Sequence, residues 1–508
     1  MAHHPDAAPE GSDHRFPAPA YARTVLAPAF AHSLAHHVRH LMELHRAHGI
    51  MLHERGLLIA GDIAALLDAL DRIEAELSAR SEPVAYTGEH EDLFFFVEAQ
   101  LARHVGADTS ARLHTGRSRN DIDHTLFKLA LKERLDALTG QLAGLIETLI
   151  VRSEIEKGTI ILAYTHGQPA QPSTYGHYLG AVIEMMLRDA ERLEQARQVV
   201  DLCPMGAAAI TTTGFPLDRA RVAALLGFSG ILPNSYGCIA AADYTAQVYA
   251  AIKLMALNLG RVAQDMAFWT SFEVGQLRFS DGFVQISSIM PQKRNPVPVE
   301  HLRLMASLCA GRCDTVLMAL HNTPFTDMND NEHEVHGQGY EAFAMAGRVL
   351  ELMQAVTASA TIDEGRARGN IARSFATITE LADTLVREEG IPFGRAHHVA
   401  AQLARIMQES GDDLASVPYA RFAEAFVESC GRPPVMGEQR FREVTSPEHF
   451  ISVRRLPGGP APDALAEAAA SHRAATARLR SRLAAHQASR HAAHVGLAAQ
   501  AARLKEGR

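Results

Sequence analysis

Apolar residues recur at alternating spacings of four and three over three long stretches of the chain. The first runs Leu131, Leu135, Leu138, Leu142, Leu145 and Leu149. The second runs Leu179, Ile183, Met186, Ala190 and Leu193, and the third Val248, Ile252, Met255, Leu259, Val262, Met266 and Trp269. A mean period of about 3.5 keeps one seam of a helix turned toward its neighbours, so each stripe predicts a long bundle helix. Less regular patterns over 298–320 and 340–360 predict two more, giving a central five-helix bundle over 121–365. Shorter stripes, such as Ile59, Ile63, Leu66, Leu67 and Leu70, predict a helical domain over 22–120. Breakers at Gly390-Ile391-Pro392, Arg432-Pro433-Pro434 and Leu456-Pro457-Gly458-Gly459-Pro460 divide residues 366–508 into short helices. That region ends in an amphipathic helix rich in Ala and Arg, followed by a tail. No stretch alternates as strands do, so the fold class is all-α, with three domains behind a flexible polar tail at 1–21. The stretch 241–259 is apolar nearly all round, which demands burial on every side. Packing against further copies of the chain would supply that burial, so a homo-oligomer is expected.

Composition narrows the class. The chain has 508 residues, 47% hydrophobic and 21% charged, enough for a sizeable core and unlike a disordered or collagen-like chain. A formal net charge of -9 argues against nucleic acid as a partner, because phosphate binding calls for a basic footprint. No apolar run approaches about 18 uncharged residues, and the first residues lack an apolar signal core, so neither a membrane span nor a secretory signal is expected. Five cysteines without a CxxC fit reduced thiols and a cytoplasmic location. Of these, Cys309 and Cys313 share a helix face and read as small core residues. His32, His36, His37, His40, His45 and His48 invite a metal reading. They lack carboxylate partners, so a solvated or interface stripe is expected, with no metal.

Three polar stretches interrupt the helical pattern. They are His114-Thr115-Gly116-Arg117-Ser118-Arg119-Asn120-Asp121, Thr165-His166-Gly167-Gln168-Pro169-Ala170-Gln171-Pro172, and Ser287-Ser288-Ile289-Met290-Pro291-Gln292-Lys293-Arg294-Asn295-Pro296. Each is expected at the end of a long helix, where unpaired backbone N–H groups bind anions. Arg, Lys, Asn, Ser and Thr donate hydrogen bonds to carboxylates, and a histidine beside Thr and Gln suits proton transfer. No metal-ligand spacing and no glycine-rich phosphate loop accompanies them. The chemistry implied is handling of a small polyanionic acid without a cofactor.

In order and spacing, these stretches resemble the signature regions of the fumarase/aspartase superfamily, most closely its argininosuccinate lyase branch. The resemblance runs from about residue 30 to 470. It takes in LAHHVRHLMELHRAHGI near the start, GFPLDRARVAALLGF after the second region and PGGPAP near the end. It implies a three-domain helical subunit, a homotetramer with a twenty-helix core, and active sites shared by three subunits. The implied reaction cleaves a C–N bond β to a carboxylate and releases fumarate from an N-substituted aspartate. A base takes the Cβ proton, and the resulting aci-carboxylate dianion needs donors worth about 3–4 kcal/mol each. By the resemblance, Ser287 is the base, with Ser288 the alternative one residue on, while Lys293 and Asn295 form the oxyanion pair. Ser118, Arg119, Asn120, Thr165, Ser288 and Met290 would bind the substrate. His166, oriented by Glu300, would serve the acid side.

Some positions depart from the family pattern. Ile286 stands where the family has Gly, Phe94 where it has a histidine, and Ile122-Asp123 where it has Gln-Val. In the distal segment, Pro324, Asn329 and Glu332 replace Tyr, Gln and Lys. Replacing a lysine that pairs a substrate carboxylate by Glu332 reverses the local charge, and a like-charge contact there would cost several kcal/mol. The fumarate half is therefore expected to be kept and the amine half to differ, possibilities including a substrate of the ethylenediamine-disuccinate type. Argininosuccinate itself and a catalytically silent, crystallin-like relative are the alternatives.

Overall fold

The computed structural model describes residues 16–507. The expected tail at 1–21 lies outside them up to residue 15, and Pro19–Tyr21 already opens a helical segment. The principal helices are α1 (Ala27–His36), α2 (Val38–Glu54), α3 (Ala60–Ser78), α4 (Leu93–Val105), α5 (Arg119–Ile155) and α6 (Tyr175–Val200). They continue as α7 (Asp243–Trp269), α8 (Val297–Leu320), α9 (His333–Ser359) and α10 (Pro462–Glu506). No helix among the described residues is long and apolar enough to cross a membrane.

Helices α5 to α9 form the bundle, and all three apolar stripes lie in its core, from Leu131 to Leu149, Leu179 to Leu193 and Val248 to Trp269. A second core joins α2, α3, α4 and the first turns of α5 to Met205, Val222, Leu225 and Phe228. A third joins short helices between Leu381 and Val444. The expected terminal tail is absent among the described residues. Instead α10 is one helix of 45 residues, about 68 Å long. Its Leu479 enters the bundle core, and its Leu497 and Ala501 enter the second core.

The strands are few and short. The longest pair, β1 (Ile160–Thr165) and β2 (Gln168–Thr174), is an antiparallel hairpin between α5 and α6. The second polar stretch therefore lies in a hairpin, where a helix end was expected. Gln276, fully buried, clamps the hairpin by bonding both the N–H and the C=O of Leu162, each at 3.1 Å. A shorter pair, β3 (Gln285–Ile286) with β4 (Arg294–Asn295), brackets the third polar stretch.

Candidate active site

The first polar stretch ends in the N-terminus of α5. Asp121 locks that end by accepting from the N–H groups of Ser118 at 2.8 Å, Gly206 at 2.8 Å and Ala208 at 3.0 Å. Arg117 points inward and donates to His45 Nδ1 at 2.8 Å, so it is an interior residue. Arg119 faces outward, 2.8 Å from Asp92 and 3.1 Å from Glu91, with its guanidinium 5.0 Å from the centre of the Phe95 ring. Ser118 Oγ donates to Asn120 Oδ1 at 2.6 Å, and Asn120 Nδ2 donates to Asp327. The start of α5 and the distal segment thus meet across more than 200 residues of chain. Phe94, where the family has a histidine, is buried beside His45 and His114.

Carboxylates gather at this meeting point. Burial pushes the Asp327 carboxyl up. Burial, reinforced by Asp327 and opposed by Arg119, pushes Glu332 up to about 7. Asp123 is raised well above the usual range by burial and then by Glu332 and Asp92. A single guanidinium, Arg119, serves Glu91, Asp92, Asp123, Asp327 and Glu332, so a bound cation would relieve mutual repulsion there. Asn329 is exposed, and its side chain bonds none of the described residues. Sequence reasoning assigned no role to Asp123 or Asp327. Their signal was the same charge reversal that marked Glu332, one turn into α5 and five residues before Glu332.

The second stretch sits at the hairpin tip. Thr165 pairs with Gln168 across a two-residue turn, His166-Gly167, with φ of 55° and 71°. Positive φ at both central residues is the signature of the turn that matches strand twist, and it strains a non-glycine residue. Thr165 and His166 are exposed. His166 borders a cavity of about 580 Å³ walled by Tyr164, Tyr178, Phe268 and Trp269. The expected pairing of His166 with Glu300 does not occur within the chain. Glu300 is exposed in the first turn of α8, where the helix dipole favours an acid.

In the third stretch Ser287 Oγ accepts from the N–H of Met290 at 3.1 Å and of Ile289 at 3.4 Å. Two such donors stabilise negative charge on that oxygen. Ser288 is exposed and makes no comparable bond. Ile286 pairs with Arg294, and Arg294 binds Asp281 at 2.7 Å, tethering both arms of the loop. Lys293 is exposed without an ion-pair partner among the described residues, Asn295 is half-buried on β4, and Met290 is exposed. Among the described residues no hydrogen bond, ion pair or ring contact joins the first, second and third stretches. Among the described residues no His, Cys, Asp or Glu group is arranged to hold a metal ion.

Comparison with known proteins gives this geometry a context. Residues 28–311 match the family described as lyase, and residues 375–452 match the argininosuccinate lyase C-terminal family. Argininosuccinate lyase 2 of Agrobacterium fabrum is 53% identical over 469 residues, which is 92% of this chain and 93% of that protein. The chain belongs to the argininosuccinate lyase family. A second relative, argininosuccinate lyase of Hyphomonas neptunium, is 38% identical over 73% of this chain and 79% of its own. Among solved structures, EDDS lyase in complex with formate superposes with a TM-score of 0.85 at 26% identity, covering 93% of each chain. A class II fumarase from Schistosoma mansoni shares the fold, with a TM-score of 0.67 at 15% identity over 84% of this chain and 91% of its own. This argininosuccinate lyase family member is a carbon–nitrogen lyase of the fumarase/aspartase superfamily, and the silent, crystallin-like alternative is set aside.

Proposed function

We propose that the protein catalyses the reversible anti elimination of fumarate from an N-substituted L-aspartate whose amine half carries a cationic end and is not arginine. One observation carries the choice of amine: Asp327 and Glu332, with Asp123 behind them, stand against Asn120 and Arg119 where the family pattern has a lysine. A substrate carboxylate at that place would meet like charge, whereas an ammonium group would be drawn in. Argininosuccinate cleavage is the second reading, favoured by the names of the relatives. Fumarate added with a panel of amines decides between them, read as loss of fumarate absorbance. Consumption with ethylenediamine or another diamine, exceeding that with arginine, is expected. Consumption with arginine alone would overturn the proposal.

In this mechanism Ser287 takes the Cβ proton, Lys293 and Asn295 meet the growing charge on the carboxylate, and His166 serves the leaving nitrogen. Ser118, Arg119, Asn120, Thr165, Ser288 and Met290 hold the four-carbon half, while Asn329 and Glu332 face the amine. In this reading the working site is taken to be assembled from neighbouring chains of a homotetramer, which is supported by the lack of any hydrogen bond, ion pair or ring contact joining the three stretches among the described residues. The apolar outer faces of α7 and α8 support this, with Leu254 and Leu257 on one and Leu304 and Leu308 on the other exposed. Replacing both Leu304 and Leu308 with glutamate is expected to yield helical but dissociated, inactive chains. Sedimentation alongside circular dichroism checks it; an active monomer would refute the shared site.

A further inference from the structure

Of the six histidines expected as a solvated or interface stripe, only His36 is exposed. His37, His40, His45 and His48 are buried, and His32 is half-buried. Those of α1 and the α1–α2 junction meet α9 in one layer. Ser33 Oγ lies 3.0 Å from His333 Nδ1, and His37 Nε2 lies 3.0 Å from Tyr340 Oη. The His32 ring stacks on Tyr340 with centroids 5.4 Å apart, and His336 stacks on Phe127 at 3.9 Å. His336 is fully buried, and neither of its ring nitrogens has a hydrogen-bond partner. His37 Nδ1 and His32 Nε2 are likewise buried and unpaired. Glu332 is the residue immediately before α9, so whatever holds His333 and His336 also holds Glu332.

We propose that this histidine layer is a positioning device that seats the distal segment, holding Glu332 and Asp327 beside Asn120 while its imidazoles are uncharged and releasing them when acid charges them. The interior offers no compensation for such charge. From α5 the layer faces His124, Lys128 and Arg134, whose guanidinium sits 3.7 Å from the Tyr340 ring centre and binds His36 at 3.3 Å. From α9 it faces Tyr340 and, at the exposed rim, Glu341 near His36. Tyr244 of α7 bonds His124 at 3.1 Å, His40 of α2 lies near His37, and Asp92 lies near His333. The acids near the layer are Glu341 by His36, Asp92 by His333, Glu332 next to His333 in the chain, and Glu43 and Glu133, each 3.6 Å from His40. Burial holds His32 down to about 4 and lowers His37, His333 and His336, so all are neutral at pH 7.

The sign follows from linkage. The opened segment binds protons below about 6.5 that the closed layer refuses, so closure is complete above that pH and is lost as pH falls toward about 4. An imidazole held down to about 4, as His32 is, raises the opening constant about tenfold between pH 7.5 and 5.5, and the others act in the same direction.

Hydrogen exchange of the full-length protein tests this, with rates corrected for the intrinsic effect of pH. Peptides covering 27–37 and 328–340 are expected to lose at least about a hundredfold protection between pH 7.5 and 5.5, while a peptide within 248–262 loses less. His336→Phe keeps the stack on Phe127 and gives up no hydrogen bond, so it should return about tenfold of that protection at pH 5.5. His32→Gln, at a half-buried position, should act in the same direction and serves if the first variant folds poorly. Equal protection at pH 5.5 in wild type and both variants would overturn the proposal.

Discussion

Replacing Ser287 with alanine is expected to lower kcat by about a thousandfold, with KM for fumarate changed little. In the proposed mechanism removal of a Cβ proton from a succinyl group is the hardest step, and the Ser287 hydroxyl is the group proposed to take it. Its oxygen accepts from two backbone N–H groups, which favour the alkoxide form. Ser288 lacks those donors, so Ser288→Ala should cost far less. Initial rates from fumarate absorbance, on variants shown by sedimentation to keep the wild-type assembly, make the comparison. A Ser287→Ala enzyme with full activity, or a Ser288→Ala enzyme with none, would move the base by one residue.

Changing Glu332 to lysine is the second large effect. Restoring a positive charge where Asp327, Asp123 and Asp92 now repel one another should favour a carboxylate-bearing amine over a diamine. Reversing one contact from repulsion to attraction is worth several kcal/mol, about two orders of magnitude in the ratio of kcat/KM for arginine over ethylenediamine. Wild-type Glu332, pushed up to about 7 by burial and by Asp327, is neutral in acid and ionised in alkali. Selectivity for a cation should therefore strengthen as pH rises through that value and be flat in the lysine variant. A ratio unmoved by the substitution would show that Glu332 does not face the amine.

The bundle was legible because its stripes are long and their period keeps one seam inward. The hairpin at Ile160–Thr174 was not. Pro169 and Pro172 lack N–H groups and read as a loop, yet they lie in β2 opposite Tyr164 and Leu162, with a bulge between Ala163 and Tyr164 absorbing the mismatch. The terminal helix was expected to give way to a tail, because alanine-rich sequence does not say whether its end packs or frays. The solvated part of the histidine expectation failed for a related reason: imidazole suits both water and a core, and for His32 and His37 it is the approach of α9 that decides. Ser118, Arg119 and Asn120 were recognisable from their local motif. Their carboxylate neighbours come from Glu91, Asp92, Asp327 and Glu332, and nothing local announces contacts made over such distances in the chain.

The long terminal helix has a consequence for biosynthesis. Leu497 and Ala501 seal a core whose other members begin at Phe30, so the earliest core residues to leave a ribosome wait for nearly the last ones. Domains that mature in order of synthesis escape that delay. Here the nascent amino-terminal core stays partly unsealed until the turns that carry Leu497 and Ala501 have been made.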